Sequence, residues 1–283
     1  MEKKDSLSEM PLVSVIMATY NEPAQFIRQS VGSLLSQTYT NIEILIGDDS
    51  TKPETIEALD TLAASDNRVK LIRKSEKMGF VPALNECLKA AKGELLARMD
   101  GDDISLPERF TVQVAYAKAH PDVDVFGGSM NIINENSEII SERRYPTEFS
   151  KMLRMFLFRS CFAHPTVMMR RKVVDNGFLY NPEYKRAEDV DFFFRLLKAG
   201  FRFGNTEEKV LNYRTVGDLG AKRPHAQWEY NFKARSTNFI WKRPLFSLVS
   251  LAVSAIYLIV PPSIVSRFYK RENSKVKKTA GAN

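Results

Sequence analysis

Leu95-Leu96-Ala97-Arg98-Met99-Asp100-Gly101-Asp102-Asp103 is the stretch that decides how this chain folds. Its first half predicts a strand. Its acidic half is the turn that ends the strand, because Ile104-Ser105-Leu106-Pro107-Glu108-Arg109 then opens a helix-like segment. Three carboxylates are thus delivered to the C-terminal end of a strand, the edge at which open α/β sheets bind ligands. Like charges this close repel unless something positive is bound, and hard oxygen donors suit Mg²⁺ or Mn²⁺. A solvated acidic turn would explain an isolated Asp-x-Asp better; two further acidic sites along the chain favour chemistry.

Working outward, short apolar runs alternate with amphipathic stretches as far as about residue 125, the pattern of stacked βαβ units. Val13–Ala18 predicts a buried strand, broken by Thr19-Tyr20-Asn21-Glu22-Pro23, and Phe26, Ile27, Val31, Leu34 and Leu35 then recur at helical spacing. Ile42–Gly47 predicts a second strand, ending in Asp48-Asp49-Ser50. A helix from Pro53 carries Ile56, Leu59 and Leu62, and Val69–Ile72 is a third strand. Gly79 opens a helix through Leu84 and Leu88 that Gly93 closes. Beyond the acidic turn come a helix near Pro107–Ala119 and a fifth strand at Val123–Gly127. The expectation is an α/β fold with a mostly parallel central sheet, in which the polar ends of the first, second and fourth strands meet at one edge. No Gly-x-Gly-x-x-Gly and no Gly-Lys-Ser follows the first strand, so dinucleotide-binding and P-loop readings have no support.

The second half is less regular. Phe149–Phe158 predicts an amphipathic helix, Cys161–Met169 a strand or extended segment, and Leu211–Arg214 a short strand. Glu188-Asp189-Val190-Asp191 opens a helix whose dipole alone would explain acids in its first turn. Asp191 faces away from Asp189 and reads as a solvated or Arg-paired acid.

With 44% hydrophobic and 27% charged residues the chain is globular. The net charge of +7 is uneven: basic residues crowd the C-terminus and flank the longest apolar segment, which favours a membrane surface over nucleic acid. Cys87 and Cys161 show no metal or redox spacing and read as packing. No apolar signal core follows Met1-Glu2-Lys3-Lys4-Asp5, so no secretion and a reducing compartment are expected.

Together these motifs resemble the family 2 glycosyltransferases, inverting enzymes of the GT-A fold. Ser14–Glu22 looks like their first strand and turn, and Gln37–Ile44 leading to Asp48-Asp49-Ser50 like their second. Gly79–Asn85, Asp100–Asp103 and the Glu188-Asp189 pair with Arg195 fall in the family's order across residues 11–215. His164-Pro165-Thr166-Val167-Met168 resembles the bacterial branch that builds O-antigen and capsule repeat units. Gly47 stands where the family more often has Val, a departure expected to matter little. The resemblance implies a glycosyltransferase domain over 1–225, with a Rossmann-like nucleotide-sugar-binding half (11–125), an acceptor and catalytic-base half (126–225), and a C-terminal helical membrane-contacting tail (226–283).

By the same resemblance, Thr19, Tyr20 and Glu22 surround the base and ribose of a UDP-sugar. An Asp48 or Asp49 carboxylate accepts uracil N3–H, which selects against the unprotonated N3 of cytosine. Gly79 lets backbone approach the nucleotide. Asp102, with Asp100, holds Mn²⁺ or Mg²⁺, and Arg214 is a candidate for the diphosphate. Asp189 is the general base, and Glu188 binds acceptor hydroxyls or orients it. His164 is a candidate diphosphate or acceptor contact; Arg170 and Arg171 are weaker ones. The implied acceptor is a polyprenyl-diphosphate-linked saccharide.

Pro244–Ser266 carries no charge and is flanked by Lys242-Arg243 and by Arg267–Arg271. Its nearly all-apolar part, Leu245–Val260, lies between the lengths of a core helix and of a span and is stopped by Pro261-Pro262; basic on both sides, the segment fits a helix lying in, or dipping into, one leaflet better than a clean span, at the cytoplasmic face of a bacterial inner membrane, peripheral or monotopic. The competing readings are an enzyme loading sugar onto polyprenyl phosphate, a nucleotidyltransferase and a non-catalytic nucleotide-sugar-binding protein. The first usually has more than one clear span, the second a basic Gly-rich loop near the first strand, and the third no need for both acidic sites.

Overall fold

A computed structural model describes residues 7–216 and 226–260. In chain order the strands are β1 (Val13–Thr19), β2 (Ile42–Asp48), β3 (Val69–Ile72), β4 (Leu95–Arg98), β5 (Ile104–Ser105), β6 (Val125–Ile133), β7 (Ile139–Arg143), β8 (Met168–Arg170) and β9 (Phe203–Arg214). The helices are α1 (Ala24–Leu35), α2 (Pro53–Ser65), α3 (Phe80–Ala90), α4 (Arg109–Ala119), α5 (Phe149–Phe156), α6 (Lys172–Asp175), α7 (Glu188–Ala199), α8 (Ala226–Thr237) and α9 (Pro244–Ile259), with a 3₁₀ turn at His164–Thr166.

One nine-stranded sheet runs through both halves in the order β3-β2-β1-β4-β8-β6-β9-β5, with β7 paired to β6. The alternation of a strand divides the core: Val13, Val15 and Met17 join the cluster that packs under α1, α2 and α4, whereas Ile16 and Ala18 face the cluster with α3, α5 and α7. β1 lies parallel to both β2 and β4, with Thr19 opposite Asp48 and Ile16 opposite Arg98. The chain turns one way from β1 to β2 and the other way to β4, so the crevice at their C-terminal ends is a topological switch point.

The predicted elements up to β4 match to within a residue or two, except that α3 ends at Ala90, before Gly93. Three differences concern the far side of the sheet. The strand expected at Val123–Gly127 begins at Val125 and runs on to Ile133, and it does not pair with β4. The short β8 inserts between them, antiparallel to both, a non-local pairing that no local pattern announces. The short strand expected at Leu211 is the end of the twelve-residue β9.

Cys87 and Cys161 are buried and unpaired by disulfide, as packing residues should be. Arg170 and Arg171 are structural: their guanidinium groups donate to the carbonyls of Ala117 and Ala91 at the ends of α4 and α3. The tail is anchored by polar contacts. Asn238 Nδ2 donates to Asp191 Oδ1 at 2.9 Å, and Arg235 Nε to Ser250 Oγ at 2.9 Å. The expected boundary at residue 225, Pro261–Ser266 and the basic residues from Arg267 on lie outside the described residues.

Gly47 matters more than expected. A Cβ there would stand 2.8 Å from the Ala83 carbonyl oxygen and 2.9 Å from its Cβ, so α3 lies against β2 at a distance only glycine permits. Gly47→Val should force the helix outward and destabilise the protein by about 1–3 kcal/mol, read as a lower midpoint in denaturant unfolding with an unchanged m-value.

Candidate functional site

At the C-terminal ends of β1 and β2 the predicted nucleotide residues come together. Asp48 is sealed in: one oxygen accepts from Ser50 N (2.8 Å) and Thr19 Oγ1 (3.2 Å), the other from Arg73 Nε (2.7 Å). Its side chain is 1% exposed, so burial and the Arg73 pair make it a brace and leave Asp49 as the carboxylate nearer solvent. Asp49 receives the backbone N–H groups of Met78 (2.9 Å) and Gly79 (2.6 Å), which ties β2 to the start of α3. Gly79 holds φ at 84°, a conformation that side chains with a Cβ rarely adopt. Tyr20 is half-exposed with Lys77 Nζ 3.3 Å from its ring centroid.

The acidic turn follows one strand over. Ligand oxygens of Asp100, Asp102 and Asp103 all lie within 4.8 Å of one another. Burial, then the charge of Asp100, pushes the Asp102 carboxyl up to about 6. The same two causes raise fully buried Asp103 well above its ordinary value. Asp103 Oδ1 accepts from Arg214 N at 2.8 Å, while Oδ2 has no hydrogen-bond partner among the described residues. Crowded hard oxygens, one of them buried and unsatisfied, fit a divalent cation. Glu22 belongs with this group as well as with the ribose side, since its Cδ lies 3.6 Å from where a Cβ on Gly101 would be. Burial, then repulsion from Asp102 and Asp100, pushes Glu22 up to about 7.

Two arginines hold the turn from behind, and the sequence reading missed the first. Arg98 is buried and paired to Asp100, yet its Nε and Nη1 have no acceptor among the described residues. A buried donor left unpaired is a standing demand for a ligand or water oxygen. An arginine inside an otherwise apolar strand was the signal that could have found it. Arg214, a candidate for the diphosphate, has another role here. Its Nε donates to Asp102 O at 2.8 Å, Nη1 to Glu135 O at 3.0 Å and Nη2 to Gln29 Oε1 at 2.7 Å, so each guanidinium nitrogen is already engaged in bracing the turn.

Across from the acidic turn is the start of α7. Asp100, Arg98, His164, Tyr213 and Asp189 line one cavity of about 260 Å³, which brings residues far apart in sequence to a single space. Ala187, at the helix start, holds φ at 55°, a left-handed conformation that costs a non-glycine residue about 1–2 kcal/mol and aims the following pair. Burial, then the neighbouring Asp189, pushes the Glu188 carboxyl up to about 7. His164 Nε2 is 2.8 Å from Tyr180 Oη, and burial followed by the nearby Arg98 charge keeps its imidazole neutral. Asn85 fixes that layer by exchanging two hydrogen bonds with the Tyr180 backbone, at 2.8 and 2.9 Å. Asp191, by contrast, is buried and paired to Arg195 Nε at 2.8 Å. The Arg-paired reading of it holds.

Comparison with known proteins agrees with this geometry. The model of the family described as "Glycosyl transferase family 2" matches residues 14–178. The O-antigen biosynthesis glycosyltransferase WbnJ of Escherichia coli is 33% identical over 250 residues, covering 87% of this chain and 95% of WbnJ. A second E. coli protein, UDP-Glc:alpha-D-GlcNAc-diphosphoundecaprenol beta-1,3-glucosyltransferase WfgD, is 36% identical over 126 residues, 44% of this chain and 48% of WfgD. Among solved structures, S. aureus TarS in complex with UDP-GlcNAc superposes with a TM-score of 0.67 at 21% identity, covering 87% of this chain and 72% of that one.

Burial and the like charge of Asp189 keep a proton on Glu188 up to about pH 7; below that value Glu188 is neutral, and above it Glu188 is ionised beside Asp189 and makes that neighbour a stronger proton acceptor. Turnover should therefore have an acidic limb near pH 7, where an ordinary glutamate would place it at 4.5. Glu188→Gln removes the like charge and should move that limb to lower pH in a kcat–pH profile.

Proposed function

The chain belongs to glycosyl transferase family 2, and from that premise we propose that it transfers a hexose or N-acetylhexosamine from a UDP-sugar to a hydroxyl of a polyprenyl-diphosphate-linked saccharide, with inversion. Its GT-A fold and its likeness to polysaccharide-building transferases agree with this. The observation that carries the reading is that Asp100 of the acidic turn and Asp189 at the start of α7 line the same cavity. One group faces the leaving diphosphate and the other the incoming hydroxyl.

In this mechanism Asp49, Thr19, Tyr20, Glu22 and Gly79 border the nucleotide, with Asp49 the acceptor for uracil N3–H. Asp100, Asp102 and Asp103 would hold Mn²⁺ or Mg²⁺, which when bound neutralises charge on the departing diphosphate. Arg98 offers its unpaired N–H groups to the sugar held in that cavity. Asp189 accepts the proton of the acceptor hydroxyl as that oxygen bonds to the anomeric carbon, while the bond to the diphosphate breaks and its electron pair leaves on UDP. A single displacement converts an α-linked donor into a β-linked product. Glu188 and neutral His164 border the acceptor.

Release of nucleoside diphosphate from a panel of UDP-, GDP- and dTDP-sugars with Mn²⁺, with and without a GlcNAc-diphospho-lipid, tests the reading. Two variants separate the roles. Asp189→Asn should keep UDP affinity and lose about 10²–10⁴-fold in kcat, because an amide cannot accept the proton. Asp102→Asn should stay folded and lose most activity, as should the wild type in EDTA. Full activity in EDTA would exclude the metal role, and lost UDP affinity with normal kcat in Asp189→Asn would exclude its role as base.

The tail supports a place at the cytoplasmic face of a membrane. No helix of the described residues is long and apolar enough to cross one. α9 is turned inside out: Ser247, Ser250 and Ser254 face the protein, while Leu245 and Ile259 are 74% and 83% exposed, with Leu248 and Ile256 also outward. Water disfavours such a face by about 1.5–3 kcal/mol per large side chain relative to burial, and an acyl layer would cover it. Leu248→Gln with Ile256→Gln should abolish salt-resistant flotation with acidic liposomes and leave the melting temperature unchanged. Undiminished flotation would exclude α9 as the contact.

A further inference from the structure

The antiparallel ladder between β4 and β8 ends on a half-made rung. Continued by one residue, its register would place Arg98 opposite Val167, two positions that would exchange a pair of hydrogen bonds. One bond is made: Arg98 N donates to Val167 O at 2.8 Å. The other is not, because Val167 N closes the 3₁₀ turn by donating to His164 O at 3.2 Å. The carbonyl of buried Arg98, two residues ahead of Asp100, must find its donor elsewhere.

Arg109 of α4 supplies it. Its Nη2 donates to Arg98 O at 2.8 Å, Nη1 to Met99 Sδ at 3.6 Å and Nε to Gln113 Oε1 at 3.1 Å. Gln113, one turn further along α4, passes the connection on. Its Nε2 donates at 2.8 Å to the carbonyl of Thr166, the last residue of the 3₁₀ turn. Both side chains are buried. The helix that carries them is fixed in turn by Gln37, which accepts from Phe110 N at 3.2 Å and donates to Leu106 O at 2.8 Å.

We infer that Arg109 and Gln113 are positioning residues for the transfer: joined end to end, they form a strut that holds the strand end leading to Asp100 at a set distance from the turn that carries His164. The inference rests on the transferase reading above, in which Asp100 belongs to the donor side and His164 borders the acceptor. Asp100 and His164 line one cavity, and the strut acts on them through backbone carbonyls.

A packing role alone would not call for these residue types. Burying a guanidinium among neutral partners costs several kcal/mol of desolvation, and apolar side chains of similar volume often serve stability as well or better. What an apolar side chain cannot supply is direction. Hydrogen bonds to two carbonyls fix both in distance and angle, and misplacing a reacting group by about 1 Å can cost about 10²-fold in rate.

The test uses Gln113→Leu, Arg109→Met and the two combined, each assayed with UDP-sugar and Mn²⁺ below its melting temperature. UDP affinity reads the donor site, UDP release without acceptor reads reaction with water, and UDP release with a GlcNAc-diphospho-lipid reads transfer. Gln113→Leu should keep UDP affinity and release to water within about twofold, and lose about ten- to a hundredfold in kcat for transfer. Water needs no alignment against the His164 turn, so only transfer registers the lost strut. Because the two side chains act as one unit, the double variant should lose no more than the worse single variant. Losses in all three readouts together would mark a merely structural role and overturn the inference. Unchanged transfer, or losses that multiply in the double variant, would overturn it too. Should Arg109→Met fail to fold, the split between water and acceptor in Gln113→Leu decides by itself. Absence of UDP release by the wild type from every UDP-sugar counts against the transferase reading itself, so the two failures are told apart.

Discussion

The repulsion among Asp100, Asp102 and Asp103 is the constraint around which the rest is arranged. Three carboxylates with oxygens within 4.8 Å of one another, one of them fully buried, would not persist in a fold without compensation. Arg98 supplies charge from inside β4, Arg214 supplies donors to the Asp102 and Asp103 backbone and side chain, and Ser30 donates to the Asp100 carbonyl at 3.0 Å. The compensation is incomplete, since Asp102 remains at about 6 and Asp103 keeps an unpartnered oxygen. What is left over is uncompensated negative charge, which a bound cation would offset.

The side of the cavity at α7 is built on different physics. α7 begins at a left-handed alanine and is held by an aromatic layer in which Phe192 stacks on Tyr180 and Phe193 packs on Phe162. Rigid rings fix the helix axis, and Asp191, turned inward to Arg195 and Asn238, fixes its rotation. Asp189 is left lining the cavity as a consequence. The same Asp191–Asn238 bond joins the end of α8 to α7, so the described part of the tail is tied to the helix that carries Asp189. An apolar surface on α9 is thereby held at a set place relative to the cavity that Asp189 lines.

Most of the first half was legible because its signals are local. Period-two apolar runs, prolines at helix starts and acidic strand ends are written within windows of a few residues, and parallel β-α repeats then leave little choice of topology. Asp49, Gly79, Asp100, Asp102 and Asp189 could be named on that basis, with the family pattern placing their roles. What Arg214 does could not be read from sequence, because an arginine at the end of a strand looks the same whether it faces a ligand or three backbone carbonyls. Gly47 was undervalued because the close approach of Ala83 comes from a helix more than thirty residues away.

By itself, then, the sequence determined the strand ends, the acids they carry and the chemistry those acids can perform, since these follow from residue order and charge. Only the tertiary structure decided which of the polar groups are tools and which are braces. Asp48 and Arg214 are enclosed and spent on other protein atoms, whereas Arg98 comes to line the cavity. It also decided that α9 presents its serines inward and its leucines outward. These outcomes depend on packing between segments distant in the chain, where burial and available partners, and not residue type, set what a side chain can do.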